Sequence, residues 1–211
     1  TQTGDSGFWA LDSCQLETPN TTWIHEYVHT RQAPLLDASM DWFTEGTACY
    51  YATVCSVRRG DIRFESGRRF LETRMNSGAT LTRPGTWTSM NTKYTKGRRV
   101  VAALDCEIRD DTGGEADLRT VWRRLNAEYE SADYDDFTAV LRSVCVDADD
   151  VLSWADRYID GHGVPSIPSD KAAFGLSKGG ADSGRAPGGP ATTGGGTGTE
   201  SDDEGTAPTD A

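Results

Sequence analysis

The sequence predicts a mainly α fold: a helical bundle with a short N-terminal edge strand, followed by a disordered acidic tail. Three observations carry this. Between residues 21 and 161 apolar side chains recur at helical spacing, one-sided and flanked by polar positions. Acids and small capping residues open these stretches, and glycine or proline closes them. From about Ser169 onward, "SDKAAFGLSKGGADSGRAPGGPATTGGGTGTESDDEGTAPTDA" is almost devoid of large apolar side chains. Such a composition cannot bury enough surface to offset chain entropy. The expected folding unit is therefore residues 1–168, with a Gly/Thr/Asp-rich tail over 169–211.

The elements follow in order. Residues 7–18, "GFWALDSCQLET", alternate loosely and predict the edge strand. Pro19 and Asn20 punctuate, and Thr21 or Thr22 can cap a helix running through Gln32, closed by Pro34. A second helix is expected from Asp37 or Ser39 to Gly60, whose missing Cβ suits a C-terminal stop. "DIRFESGRRFLETRMNSG", residues 61–78, reads as a third helix, and residues 78–92 as a loop. The stretch from Lys93 to Gly114 places Val100, Val101, Leu104 and Ile108 on one stripe. Three further helices are expected over residues 115–129, 133–145 and 147–161, each with acids at its start.

Charge narrows the function. The formal net charge is -12, of which -8 lies before residue 170, and only four of the 21 basic residues are lysines (Lys93, Lys96, Lys171, Lys178). An acidic, lysine-poor surface suits a protein kept soluble in concentrated salt, where self-repulsion is screened. With no basic stripe, nucleic-acid binding through phosphates is not expected. Five cysteines (Cys14, Cys49, Cys55, Cys106, Cys145) form no C-x-x-C pair and read as reduced thiols. Neither a signal-like region nor an apolar run of the ~20 residues needed to span a bilayer is visible.

Two of the three histidines fall in "NTTWIHEYVHTRQ", residues 20–32, as His25-Glu26-Tyr27-Val28-His29. Residues four apart share one helical face, so His25 and His29 present two imidazoles to one point. Glu26 is offset by about 100° of rotation and reaches beside a metal held there, where a general base must sit. Taken alone, the pattern fits a surface helix with incidental histidines equally well. Fifteen residues separate His29 from Glu45, which stands in "DWFTEGTACYY" on the expected second helix. A helical hairpin broken at Pro34 can set Glu45 opposite the two histidines. Two His and one Glu leave a fourth position open, the arrangement of catalytic Zn²⁺, one ion per chain.

These residues resemble the gluzincin zinc metallopeptidases, whose H-E-x-x-H helix is followed by one bearing W-[FL]-x-E-G-x-A; the nearest groups are aminopeptidase N and glycyl aminopeptidase. The similarity extends over roughly residues 7–165. "KYTKGRRVVAALDCEIRDDTGGEADLRTVWRRL" resembles the family's Y-x-K-G helix and the segments after it, and "DVLSWADRYIDGHGVP" the end of the catalytic domain. The resemblance implies a thermolysin-like catalytic domain, with His25, His29 and Glu45 as zinc ligands and Glu26 as the residue that activates water. It further implies that Tyr94 donates a hydrogen bond to the oxyanion. Without the resemblance, Tyr94 reads as a tyrosine at a helix start packed on a loop.

The match has departures. The spacing from His29 to Glu45 is a few residues shorter than in the aminopeptidase N group. "SGFWALDSC" lacks the glutamate that grips a substrate's free amine in those aminopeptidases; Asp12 is the nearest acid and Glu17 lies later. The β-rich domain that usually precedes the catalytic domain is not visible in the 24 residues before His25. The aromatic that often follows the second histidine is Arg31, and His162 matches no ligand position and reads as a turn residue. Two functions are therefore expected: a zinc-dependent peptidase acting on a peptide or protein substrate, or a non-catalytic metallopeptidase-like interaction module.

Overall fold

Seven α-helices and one two-stranded parallel sheet make up the described part of the computed structural model, which covers residues 7, 8, 10, 11, 13–73 and 78–176. The helices are α1 (Thr22–His29), α2 (Asp41–Arg59), α3 (Phe64–Glu72), α4 (Thr92–Asp111), α5 (Leu118–Glu128), α6 (Tyr134–Val144) and α7 (Ala148–Tyr158). The expected mainly α class holds. No helix among the described residues is long and apolar enough to cross a membrane.

The core forms around the long pair α2 and α4. Trp42 and Phe43 at the start of α2 meet Phe137 of α6, with ring centroids 5.7 and 5.3 Å apart. Val100, Val101, Leu104 and Ile108, the stripe anticipated for α4, are fully buried. Helix α2 starts after a short 3₁₀ turn at Ala38–Met40, where Asp37 accepts a hydrogen bond from the Ser39 amide at 2.8 Å. It ends at Gly60 in the left-handed conformation, φ 81°, as its missing Cβ allows. Capping boxes at Asp117 and Asp133 open α5 and α6, which explains why those starts could be anticipated.

Three expectations are corrected. The N-terminal edge strand is not found among the described residues of 7–18: Phe8 forms an isolated bridge, and the Cys14 amide turns back onto the Leu11 carbonyl at 3.0 Å. Phe8 instead packs its ring edge-on against Trp23 at 6.1 Å. The sheet lies elsewhere, pairing β1 (Leu35–Leu36) with β2 (Ser131–Ala132), strands too short to show alternation. Helix α1 stops at His29, three residues before Gln32. The Arg31 and Gln32 amides bond to the carbonyls of Val28 and His29, tightening the chain into a turn. The fold also continues beyond residue 168: a 3₁₀ turn at Lys171–Phe174 buries Phe174 and Leu176 in the core. The remainder of the expected tail, 177–211, lies outside the described residues, as do 74–77 at the end of the expected third helix.

Candidate metal centre

Helix α1 lays one face on α2, and α2 crosses α4 where both carry glycine. A Cβ on Gly46 would lie 2.8 Å from the Gly97 carbonyl carbon, and one on Gly97 2.9 Å from the Trp42 carbonyl oxygen. This close approach places Glu45 of α2 between the histidines of α1 and the start of α4. His25, His29 and Glu45 are each 11–15% exposed at the side chain.

Their ligating atoms form a near-equilateral triangle. The two Nε2 atoms are 3.1 Å apart, and Glu45 Oε2 lies 3.4 Å from each. A tetrahedral ion with bonds of about 2.05 Å has ligands roughly 3.3 Å apart, so the triangle fits one face of such a tetrahedron. The three residues can hold a metal ion.

The hydrogen-bond partners set the imidazole tautomers. The Gln32 amide nitrogen donates to the Thr44 carbonyl and to Thr47 Oγ1, both at 2.8 Å. A carbonyl only accepts, so the Gln32 oxygen must face the other way, and it stands 2.8 Å from His29 Nδ1. His29 therefore carries its proton on Nδ1 and directs the Nε2 lone pair into the triangle. Asn20 Oδ1 stands 3.0 Å from His25 Nδ1, which Cys49 Sγ also approaches at 3.8 Å. The His29 lone pair, His25 Nε2 and the Glu45 carboxylate thus converge on one point. Glu45 Oε2 is buried without a hydrogen-bond partner among the described residues. The point where they converge suits something positive, a proton or a cation.

The carboxylate is held ionised when the imidazoles donate to it. Burial by itself would raise the Glu45 carboxyl, but His25 and His29 together with the Lys93 charge hold it well below the usual carboxylate range. Burial would depress His29, yet Glu45, Gln32 and the Glu26 charge raise it. Lys93 takes the second carboxylate oxygen, with Nζ 3.4 Å from Glu45 Oε1. That fixes the rotamer and leaves Oε2 for the triangle.

Glu26 is half-buried, one position after His25, and its charge acts on both His29 and Tyr94. Tyr94 stacks over His25, rings 6.4 Å apart at 25°. Burial, then the neighbouring Glu45 carboxylate, push its phenol well above the usual range, so it remains a donor. All five residues singled out in the sequence thus lie in one cluster. Asn20, Gln32 and Lys93 were missed; Gln32, three residues after a metal-type histidine, was the one with a readable spacing. His162 lies apart in a bend, its Nδ1 2.7 Å from the Gly78 carbonyl. Arg31 covers the Tyr27 ring at 4.9 Å. Glu17 is exposed, and Asp12 lies outside the described residues. No protein-family model and no curated protein matches the chain.

Proposed function

We propose that the chain is a zinc-dependent peptidase of gluzincin type. The observation that carries this reading is the triangle of His25, His29 and Glu45, with edges of 3.1, 3.4 and 3.4 Å and the His29 tautomer preset by Gln32. Nitrogen and carboxylate donors at tetrahedral separation favour zinc over the oxygen-seeking magnesium and calcium. Three protein ligands leave one position for water or substrate, as catalytic rather than structural sites do.

Bound there, zinc would supply Lewis acidity toward water and the substrate carbonyl. The chain's own residues would do the rest. Glu26 accepts a proton from the attacking water as the C–O bond forms and returns it to the amine nitrogen, whose C–N bond then breaks as the carbonyl is restored. Tyr94, kept neutral by burial and by Glu45, donates a hydrogen bond to the oxygen that becomes negative on the substrate. Asn20 and Gln32 hold the imidazoles in the ligating tautomer, the role such partners play in metal sites generally.

The test is zinc content beside turnover. Wild type should carry about one zinc per chain, and Glu45→Ala should lose it. Glu26→Gln should keep the zinc while peptide hydrolysis falls by at least about 10²-fold. Zinc retained in Glu45→Ala, or full activity in Glu26→Gln, would sink the reading. The alternative of a non-catalytic interaction module predicts zinc in the wild type with no hydrolysis.

A further inference from the structure

A second polar cavity opens on the face of α2 turned away from Glu45. It encloses about 120 Å³ and is lined by Tyr51, Arg58, Asp105, Arg109, Asp117 and Arg119, with Tyr50, Val54 and Phe174 completing its walls. Along α4, Asp105 is eleven positions beyond Tyr94, roughly 16 Å at the rise of an α-helix, so this cavity is separate from the metal centre.

Its two acids are already engaged. Asp105 accepts from Tyr50 at 2.6 Å, from Arg109 Nε at 2.8 Å and from the Leu118 amide at 2.9 Å. Asp117 accepts from Arg109 Nη2 at 2.9 Å and from the Thr120 amide and hydroxyl at 3.0 and 3.3 Å. Arg109 is thereby neutralised from both sides. Arg58 and Arg119 are not: both are exposed and form no ion pair among the described residues, on a chain where acids outnumber bases 33 to 21. Tyr51 lines the same cavity, clamped by the Trp122 and Tyr50 rings, each with its centroid 5.2 Å away. Its hydroxyl is buried and has no hydrogen-bond partner among the described residues. A buried donor left unmade is costly, and in the lining three arginines face two aspartates that are already engaged, leaving a net positive charge.

We propose that this cavity binds a small oxyanion, a phosphate or a short dicarboxylate, bridged by the Arg58 and Arg119 guanidiniums and hydrogen-bonded by the Tyr51 hydroxyl. Guanidinium forks match carboxylate and phosphate geometry, and the volume admits one such group but no nucleotide. Asp105, Asp117 and Arg109 form the rigid wall behind it.

The test is the thermal midpoint of the full chain in inorganic phosphate and in malonate, against chloride at equal ionic strength. A ligand at about a hundredfold its Kd should raise the midpoint by roughly 5 °C or more. Arg58→Ala/Arg119→Ala, both exposed positions, should abolish the rise, and Tyr51→Phe should weaken binding about tenfold, with zinc content unchanged in each. A response to phosphate alone assigns a phosphate site, and one to malonate alone a carboxylate site. An equal response in the double variant, a rise reproduced by chloride, or no response to either anion overturns the proposal. Adding the anions to the Glu45→Ala variant separates this cavity from the metal centre, because its response should survive there.

Discussion

Gly97 packs against the main chain beside Gly46, so closely that a Cβ on either would come within 2.9 Å of helix backbone. The contact joins the chemistry of the two helices: Glu45 precedes one glycine, and Lys93 and Tyr94 lie within one turn of the other. Gly97→Ala should push α4 off α2, since backbone cannot yield as a side-chain tip can. Overpacking of this kind costs about 1–3 kcal/mol. The expected result is a lower urea midpoint together with weaker zinc binding, because Lys93 then withdraws from Glu45. Stability and zinc affinity both equal to wild type would show that the crossing has slack.

Gln32 reaches the metal centre through His29, while its amide nitrogen ties the end of α1 to Thr44 and Thr47 of α2. Gln32→Leu keeps the volume and removes the oxygen that fixes the Nδ1 proton, so the ring can present N–H instead of a lone pair to the metal. Loss of such a partner weakens metal binding by about 10–100-fold. A zinc titration against a competing chelator reads this directly, and an unchanged affinity would mean that Asn20 and Glu45 suffice.

How much of this could be read beforehand differs between residues. His25, His29 and Glu45 were readable because metal chemistry restricts residue type and helical spacing puts the two histidines on one face, and Glu26 was readable from its place beside them; Tyr94 was implied by the family resemblance alone. Lys93 and Asn20 were not, since a lysine at a helix start and an asparagine in a turn have many uses. The strand pair at Leu35–Leu36 was hidden by its length: two residues show no period. Phe174 and Leu176 were hidden by composition. Two apolar residues in a Gly- and Ala-rich stretch look like tail, and only the hollow between α2, α3 and α4 makes them core. The edge strand failed for the opposite reason: "GFWALDSC" alternates loosely, yet among its described residues the chain forms only a single bridge at Phe8 and a turn at Cys14.

Lys96 gives a pH signature. It is 2% exposed, and its Nζ donates to the Ala79 carbonyl at 2.6 Å and the Gly161 carbonyl at 3.0 Å. Burial pulls the ammonium from 10.5 down to about 8. The unfolded chain then holds more protons between those two values, so this group's contribution to stability rises with pH across that window. The cost of burying the cation is full below about 8 and gone above about 10.5. The gap corresponds to at most roughly 3 kcal/mol, less whatever the two carbonyls return to the ammonium. Lys96→Met removes the slope. Stability of wild type minus variant, from urea denaturation at pH 7.5 and 10, should increase with pH. Taking the difference cancels the buried Cys49 and Cys106 thiols, whose values burial raises to about 12. A flat difference would mean that the carbonyls fully compensate for burial.

Removal of metal should cost stability as well as activity. The triangle of acceptors is held together in the folded chain alone, since His25 and Glu45 are brought near each other by the packing of α1 on α2. An ion that binds the folded state and not the unfolded one stabilises it by mass action, about 2.7 kcal/mol at a hundredfold excess over Kd. For a chain of this size that is a fall of roughly 5–10 °C in thermal midpoint when a chelator strips the site. The Glu45→Ala variant should show no such fall, because it has no ion to lose. A wild-type midpoint indifferent to chelation and to added zinc would show that a proton, carried by His29 and shared with Glu45, is all the positive charge the triangle takes up.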